Sequence, residues 1–484
     1  MQFAWRLGRT VLVALIAGLT ASGLGLKFAA NNPFETRIAP PPPPALAVKW
    51  QRPAFPPTPD LGNRVARSVA TNSRATRGHE RTEAPPRAVN PPRPLGRIGP
   101  TLLEQIPELA ELVVCHSDED TSAAADVIQG CIDRAAPRST VEILPGRYML
   151  QHQIVVSKPL TIRTATPGSD LPMACTVDET QCAVLVAAPD LVAQWGPLFI
   201  KSTSGVTLEH IVIDGNREAR NASDATRRCQ DGDNTYGFNV SVLECASCTV
   251  TDVVSTHAIC GTGMVWIGAD ATIQHSAFRA NGDSATRIWS DGLTLLFAPR
   301  SVITENEFVD NTDVALIIGY GVGARLERNT VLQRTQPAFA GLMLDNFDSN
   351  DLTSAGDFRG AVVAHNRIDC GAQLCTFGIQ VGPRPWHATQ NVIGGELYDN
   401  EVRGAKIGIN ADGAGVVDAP TTVYGNSIED VPPGGRFAAC EERISTGALN
   451  VAPASVVDRR GDPMQAGSYP SDSCQLWSDI AGEQ

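Results

Sequence analysis

The segment from Asp291 to Val331 reads DGLTLLFAPRSVITENEFVDNTDVALIIGYGVGARLERNTV and carries one pattern twice. The tetrapeptide Gly292-Leu-Thr-Leu returns after 23 residues as Ala315-Leu-Ile-Ile. Likewise, Ile303-x-x-Asn306-x-Phe308 returns after 23 residues as Leu326-x-x-Asn329-x-Val331. The apolar residues alternate and do not follow helical spacing, so the repeat predicts successive turns of a β-solenoid.

Both motifs recur along the chain when the pattern is extended in each direction. The first begins at Gly237, Gly263, Gly292, Ala315, Gly341, Gly378 and Gly408, and the second centres on Ser276, Asn306, Asn329, Asn366, Asn400 and Asn426. The predicted inward apolar ladder is Phe238, Met264, Leu293, Leu316, Leu342, Ile379 and Ile409. Asparagine tolerates turn geometry, and its amide can hydrogen-bond along a stack. We therefore predict a structural asparagine ladder with members about 5 Å apart, one strand spacing.

A different pattern precedes these coils. Residues 118–136 read DEDTSAAADVIQGCIDRAA, and their apolar spacing predicts a short amphipathic helix that ends near Pro137. Three short strands follow, in VEILPGRYML, QIVVS and LTIRTA. Together with the coil pattern, this segment resembles the right-handed parallel β-helix proteins of the pectin-lyase-like superfamily over roughly residues 110–430. The resemblance implies an all-β, right-handed parallel β-helix with a short N-terminal capping helix.

The residues before the solenoid have the composition of an export signal and a linker. Residues 1–32 contain an uncharged run of 17 residues flanked by Arg6, Arg9 and Lys27, which predicts either a signal peptide or a signal anchor. Residues 33–100 are rich in proline and predict an extended, disordered linker with eleven basic and four acidic residues. These segments predict an exported protein of the periplasm or cell envelope, with the membrane as a partner if the signal is not cleaved.

Charge is distributed unevenly along the chain. The net charge of −13 combines +10 in residues 1–100 with −23 in residues 101–484. A nucleic-acid-binding domain would carry its positive charge on the folded part, so this distribution argues against nucleic acid as a partner.

All 12 cysteines lie between Cys115 and Cys474, and in an exported protein an even number predicts disulfides. We expect Cys370 to pair with Cys375 and Cys440 with Cys474, the second bond holding a C-terminal cap in residues 431–484. Cys245-x-x-Cys248 could form half of a zinc site, but no matching pair with histidine follows it.

Two aspartates begin adjacent predicted strands. Trp289-Ser-Asp291-Gly and Asn311-Thr-Asp313-Val resemble the polygalacturonase motifs N-T-D and D-D, whose carboxylates act as acid and base. The chain departs from that family because Asp313 is a single aspartate and no G-H-G or R-I-K motif follows. Capping of turns is therefore the competing role for both residues.

A second candidate site lies in the loops that follow. By strand alternation, Asp345 and Asp412 occupy one outward column two coils apart, with Gly382 between them. A separation of about 9.5 Å would leave room for the water of an inverting glycosidase. Trp386 would stack on a sugar, and Arg384 or His387 would hold a substituent. The acidic loop with Asp345, Asp348 and Asp351 could instead bind Ca²⁺.

These observations predict a polysaccharide as the partner. We expect the β-helix to bind or cleave a glycan in the manner of a glycoside hydrolase or polysaccharide lyase, and a lyase would need Lys406 or Arg384 as its base. The alternative is a non-catalytic scaffold or adhesion protein of the cell envelope. The outward surface of the middle coils is apolar, which predicts that a loop or the tail covers it.

Overall fold

The protein winds as a parallel β-helix, as the repeat and the resemblance implied. The structure, a computed structural model, describes residues 111–115, 124–165, 174–347, 356–384, 390–411, 413–432, 435, 437–438, 449–451 and 456–458. Its strands, numbered β1 to β31 in chain order, form two sheets with parallel ladders between successive coils. The predicted signal segment 1–32, the linker 33–100 and the Cys440–Cys474 pair lie outside the described residues.

Among the described residues, sheet I has ten strands, and it carries the first sequence motif. Its members are β4 (Ile154–Val156), β7 (Leu198–Ser204), β9 (Val240–Ala246), β11 (Gly261–Ile267), β14 (Ser290–Phe297), β17 (Val314–Ile318), β20 (Ala338–Leu344), β23 (Cys375–Val381), β26 (Ile407–Asn410) and β29 (Phe437–Ala438).

Sheet II has 21 strands in two ladders, which the long strands β8 (Thr207–Asp214) and β10 (Thr249–Thr256) join. The first ladder adds β1 (Leu112–Cys115), β2 (Thr140–Ile143), β5 (Thr161–Thr164), β12 (Thr272–Gln274), β15 (Val302–Thr304), β18 (Arg325–Glu327), β21 (Val362–Ala364), β24 (Glu396–Tyr398), β27 (Thr421–Tyr424) and β30 (Leu449–Val451). The second adds β3 (Gly146–Leu150), β6 (Ala183–Ala187), β13 (Ala277–Arg279), β16 (Glu307–Val309), β19 (Thr330–Leu332), β22 (Arg367–Asp369), β25 (Glu401–Arg403), β28 (Asn426–Glu429) and β31 (Val456–Asp458). Strands β29, β30 and β31 extend both sheets beyond residue 430.

The predicted asparagine ladder is present at the turn between the two ladders of sheet II. The Nδ2 of Asn306 donates to the Oδ1 of Asn329 at 3.0 Å. The same bond links Asn329 to Asn366 at 3.0 Å, Asn366 to Asn400 at 2.9 Å and Asn400 to Asn426 at 2.9 Å. Each Oδ1 also accepts the backbone N–H of the preceding asparagine, and each Nδ2 also donates to a backbone carbonyl. These buried amides therefore satisfy both themselves and the turn backbone.

A second polar ladder, which the sequence did not reveal, lies at the turn leading from sheet II into sheet I. Asn281 Nδ2 donates to Asn311 Oδ1 at 2.8 Å, and Asn311 Nδ2 donates to the Phe278 carbonyl at 2.9 Å. Gln333 Nε2 in turn donates to the Asn311 carbonyl at 3.0 Å. Asn311, which resembled part of a catalytic motif, is thus fully buried and structural.

The inward apolar ladder is confirmed from Met264 to Ile409, but its first member was predicted wrongly. Val240, not Phe238, pairs with Met264, and Ser241 therefore pairs with the outward residue Val265. Strand β9 begins late because the short 3-10 helix Asn234–Tyr236 precedes it. The pairs Leu293 with Leu316, Leu316 with Leu342, and Ile379 with Ile409 follow the predicted register.

The recurrent glycine of the first motif has a packing reason. A Cβ added at Gly292 would lie 2.8 Å from the Phe308 ring and 2.9 Å from the Asn311 amide nitrogen. Gly292 therefore faces the core, and so does the next residue, Leu293. Two consecutive inward residues shift the alternation before them, which leaves Asp291 on the outer surface of sheet I.

Two α-helices accompany the coils in the part of the chain that the structure describes. Helix α1 (Ala124–Arg134) lies in the segment predicted to be helical, and its buried face joins the same core cluster as strands β1 to β4. Helix α2 (Asp224–Gln230) and the 3-10 helix Ser284–Thr286 lie in segments between strands of successive coils. Among the described residues, no helix has both the length and the hydrophobicity needed to cross a membrane.

The ten described cysteines form five disulfides. The predicted Cys370–Cys375 bond is confirmed, and Cys245 pairs with Cys248 in a disulfide instead of contributing to a zinc site. The others are Cys115–Cys131, Cys175–Cys182 and Cys229–Cys260. Five disulfides indicate that the protein matures in an oxidising compartment.

Removal of one asparagine from the ladder should destabilise the fold. In Asn329→Ala, the Asn306 amide and the Ile303 carbonyl lose buried partners, so we expect the free energy of unfolding to fall by about 2 to 4 kcal/mol. Urea denaturation followed by circular dichroism measures this change. Thr330→Ala, at the neighbouring partly exposed position, should change it by less than about 0.5 kcal/mol. Equal effects of the two substitutions would contradict a structural role for the ladder.

Thiol titration tests the disulfide assignment for the whole chain. We expect no reactive thiol in unreduced protein that has been unfolded with guanidinium, because all 12 cysteines would be paired. Several reactive thiols per chain would contradict this prediction.

Candidate functional site

Asp291 lies on the outer surface of sheet I, at the beginning of β14. Its Oδ2 accepts a hydrogen bond from the Thr294 hydroxyl at 2.7 Å, and its Oδ1 accepts one from the Val314 backbone N–H at 2.9 Å. The residue is only 7% exposed. The carboxyl group is therefore held in one orientation by the next coil and by its own strand. Turn capping, the competing role, explains the hydrogen bond from the Val314 N–H. It does not explain why the Asp291 carboxyl group is buried.

The protonation of Asp291 is strongly perturbed. Burial raises the pKa of this carboxyl well above its usual range, and the negative charges of Asp313 and Asp345 raise it further. The hydrogen bonds from Thr294 and Val314 favour the ionised form but do not offset these effects. A raised pKa favours the protonated form of this carboxyl group, which can therefore act as an acid.

The structure brings together residues from both sequence-based site hypotheses. Asp313, partly exposed, precedes β17, and its backbone N–H donates to the Ser290 carbonyl at 3.1 Å. Asp345 follows β20, and its N–H donates to the Ile318 carbonyl at 2.8 Å. The charges of both aspartates act on Asp291, so the three residues form one group, which we call the aspartate cluster. Asp412, the predicted partner of Asp345, lies outside the described residues.

Asp345 does not face an open cleft. Its side chain is fully buried, whereas the two-carboxylate hypothesis placed it beside a water-filled gap. Strand alternation predicts only the face of the sheet on which Asp345 lies and does not report what lies over that face. The pairing of Asp345 with Asp412 stays a prediction.

An apolar cluster adjoins the aspartates on the outer surface of sheet I. It consists of Val314, Ile317, Phe339, Ala340, Met343, Phe377 and Ile407, with Phe347 packed against them. Ile317 and Met343 point outward from their strands and are nevertheless fully buried. The expectation that this surface is covered agrees with their burial.

The cationic candidates lie on later coils. The Arg384 guanidinium donates to Asn391 Oδ1 at 2.9 Å, and the Arg384 carbonyl accepts from Gln380 Nε2 at 2.6 Å. Lys406 is partly buried, and this burial lowers its pKa, as a lyase base would require. Trp386 and His387 lie outside the described residues, as do Asp348 and Asp351 of the possible calcium loop.

Sequence reasoning assigned no site role to the polar residues that complete this surface. Thr294 stands three residues after Asp291, and this spacing could have indicated the contact once both residues were known to face outward. Gln380 and Asn410 are buried outward residues of adjacent coils, and Asn410 Nδ2 donates to Gln380 Oε1 at 2.6 Å. Within the described residues, one group of three His, Cys, Asp or Glu side chains could share a metal ion. That group is Cys175, Cys182 and His210, away from the aspartates.

No family model and no curated protein matches the chain. Similar solved structures include the exopolygalacturonase of Thermotoga maritima, with 11% identity, 72% of this chain and 91% of that chain covered, and a TM-score of 0.45. The alginate lyase of Paenibacillus sp. strain FPU-7 has 16% identity, coverage of 70% and 99%, and a TM-score of 0.43. The protein ORF18 of Geobacillus virus E2 has 13% identity, coverage of 72% and 60%, and a TM-score of 0.36. This chain thus spans about three fifths of the viral protein.

The raised pKa of Asp291 should make stability depend on pH. Because the folded state holds this proton more tightly than the unfolded state, the free energy of unfolding should fall as pH rises from about 4, the ordinary value, towards the raised pKa. Asp291→Asn cannot ionise and should be more stable than the wild type at pH values above the raised pKa, with the gain shrinking as pH falls from that pKa towards about 4. Urea denaturation at a series of pH values measures this difference.

Asp310 provides a control of opposite sign. Burial opposes its ionisation, but hydrogen bonds from the backbone N–H groups of Thr335, Arg334 and Gln336 outweigh that effect and lower its pKa. Asp310→Asn should therefore lose stability at neutral pH and not at pH 2 to 3. A pH-independent effect of Asp291→Asn would contradict the raised pKa.

Proposed function

We propose that this protein binds and cleaves a polysaccharide at the aspartate cluster. The observation that carries the proposal is Asp291, a buried carboxyl group with a raised pKa, beside Asp313 on the outer surface of a rigid β-helix. Acid-catalysed cleavage of a glycosidic bond needs a protonated carboxyl group near an ionised one. The environments of Asp291 and Asp313 support these two roles. Asp291 is buried, which favours its protonated form, whereas Asp313 is partly exposed, which favours its ionised form.

In this proposal, Asp291 donates its proton to the oxygen of the leaving group. Thr294 and the Val314 N–H hold the carboxyl group in position during the transfer. Asp313 serves as the second carboxylate, either activating water or attacking the sugar directly. Asp345 supports the protonated state of Asp291 through its negative charge. Arg384, Lys406, Trp386 and His387 are the proposed substrate-binding residues of the later coils.

Several features of the whole chain belong to the same proposal. We infer a right-handed helical path, since nearly all parallel crossovers in proteins have that hand. Helix α1 would cap the first coil, which its buried contacts with the core support. Residues 1–100 would export the domain and tether it to the cell envelope.

A non-catalytic scaffold is the second candidate. The full burial of Ile317 and Met343 on the outer surface favours it, because a polysaccharide needs an open surface beside the aspartates. A scaffold would use the regular coils as a rigid spacer, and the aspartates would have no chemical role.

A polysaccharide panel distinguishes these candidates. The full chain is incubated with plant, algal and bacterial polysaccharides, and reducing ends and unsaturated uronate are measured together. Hydrolysis should produce reducing ends alone, elimination should produce both signals, and binding alone should shift migration on a glycan gel without either signal. No signal and no shift with any polysaccharide would contradict the proposed function.

Substitutions then locate the site. Asp291→Asn and Asp313→Asn should each lower turnover by about 10² to 10⁴, the usual contribution of acid–base groups, with an unchanged circular dichroism spectrum. Asp418→Asn, at an exposed position, should retain full turnover. If Asp345→Asn and Asp412→Asn abolish turnover while Asp291→Asn stays active, the assignment to Asp291 and Asp313 is wrong.

A further inference from the structure

A group of cysteine, histidine and aspartate side chains lies on the outer surface of sheet II, away from the aspartate cluster. The Cys175–Cys182 disulfide packs there on an apolar patch that includes Val184, Val212 and Val254. Both cysteines are fully buried. The proposed glycan chemistry does not use this group.

His210 faces the disulfide. Its Nε2 lies 3.6 Å from Cys182 Sγ, and its Nδ1 lies 2.6 Å from Asp252 Oδ2. The ligand atoms of Cys175, Cys182 and His210 all lie within 4.8 Å of one another. Three potential metal ligands therefore converge on one point.

The backbone explains why His210 and Asp252 are neighbours. Strands β8 and β10 pair Glu209 with Thr251 and Ile211 with Val253, so His210 and Asp252 occupy equivalent positions of successive coils. Both residues have left-handed backbone conformations, with φ near 52°, which turn their side chains out of the strands in the same way. The β-helix itself fixes this contact.

Asp252 is held in place by the loop that carries the cysteines. It accepts hydrogen bonds from the backbone N–H of Cys175 at 3.0 Å and of Thr176 at 3.2 Å. The Arg279 guanidinium also donates to the Thr176 carbonyl at 2.7 Å. The loop and the histidine are thus attached to the same coils, which pre-organises the three ligands.

We propose that reduction of the Cys175–Cys182 disulfide creates a site for a thiophilic divalent cation such as Zn²⁺. The Cys175 and Cys182 thiolates and His210 Nε2 would be the ligands, with a fourth position open to water. Tetrahedral Zn²⁺ with bonds of about 2.3 Å to sulfur and 2.0 Å to nitrogen places sulfur about 3.5 Å from nitrogen and the two sulfurs about 3.8 Å apart, so the sulfurs must separate after reduction. The separation of sulfur from nitrogen agrees with the Cys182 to His210 distance of 3.6 Å.

The contact to Asp252 supports the metal assignment. A histidine that binds metal through one ring nitrogen usually donates its other N–H to a carboxylate, which fixes the ring and raises its basicity. Asp252 accepts at the Nδ1 side of His210, which leaves Nε2 directed at the sulfurs. Asp252 is therefore a positioning residue.

Formation of the site consumes two electrons. A dithiol reductant attacks the disulfide and leaves as its own disulfide, while two electrons and two protons convert Cys175 and Cys182 to thiols. Metal binding then displaces those protons, since thiolates are the ligands. The oxidised and metal-bound states exclude each other, so the site reports the redox state of its surroundings.

Cobalt titration of the full chain tests the proposal. A phosphine reduces the disulfides, with water supplying the oxygen of the phosphine oxide and the two thiol protons. Addition of Co²⁺ should then give the visible absorption of tetrahedral cobalt and the ultraviolet thiolate charge-transfer band. We expect about one more Co²⁺ per chain in the reduced wild type than in the reduced Cys175→Ser/Cys182→Ser variant, and none bound in the unreduced protein.

Two matched controls separate this site from the other cysteines. The Cys370→Ser/Cys375→Ser variant lacks another short-range disulfide and should retain the bound Co²⁺. His210→Gln should weaken binding at least about tenfold and Asp252→Asn about 10- to 100-fold. His257→Gln should leave it unchanged, because His257 makes a comparable contact with Asp214 but belongs to no cysteine group.

Differential alkylation provides a second readout that does not depend on the cobalt spectrum. Mass spectrometry after iodoacetamide treatment should show that Zn²⁺ protects Cys175 and Cys182 from alkylation in the reduced protein. Equal Co²⁺ binding by the wild type and Cys175→Ser/Cys182→Ser would overturn the proposal, as would equal affinities of His210→Gln and His257→Gln. Loss of the circular dichroism spectrum on reduction would also overturn it, because the site requires the folded coils.

Discussion

The coils depend on hydrogen bonds at buried turns more than on any single apolar contact. A parallel β-helix must bend the chain sharply in every coil, and at each bend the backbone N–H and carbonyl groups point away from the regular ladders. In this protein the asparagines from Asn306 to Asn426 fill that position. Each amide hydrogen-bonds to backbone groups of the preceding coil and to the asparagine of the next coil, which fixes the alignment of the coils.

That register determines the chemistry of the outer surface. Because successive coils place equivalent residues one strand spacing apart, side chains distant in sequence become neighbours without any dedicated loop. Asp291 and Val314 meet in this way across 23 residues, and His210 and Asp252 meet across 42. The same regularity produces both groups, although one lies on sheet I and the other on sheet II.

The two groups differ in what holds them. The aspartate cluster combines like charges in a buried place, which raises the pKa of Asp291 and costs stability unless the proton is retained. In the His210 group, by contrast, a histidine donor faces a carboxylate acceptor. The loop that carries the disulfide covers this pair. A group that costs stability is the stronger candidate for a role in the proposed glycan chemistry, since folding alone does not account for it.

The sequence by itself determined the fold class, the inward ladder from Met264 onward, the asparagine ladder and the Cys370–Cys375 bond. All of these follow from the coil repeat or from residues close in sequence. Equivalent positions of successive coils have the same surroundings and therefore carry similar residues. The sequence placed the inward residue of β9 that pairs with Met264 two positions too early and separated Asp345 from Asp291. Only the tertiary structure decided which aspartates interact, that Asp345 is buried, and that Cys175 and Cys182 face His210. Burial and charge coupling depend on which segments lie over a strand, and a repeat carries no information about what covers it.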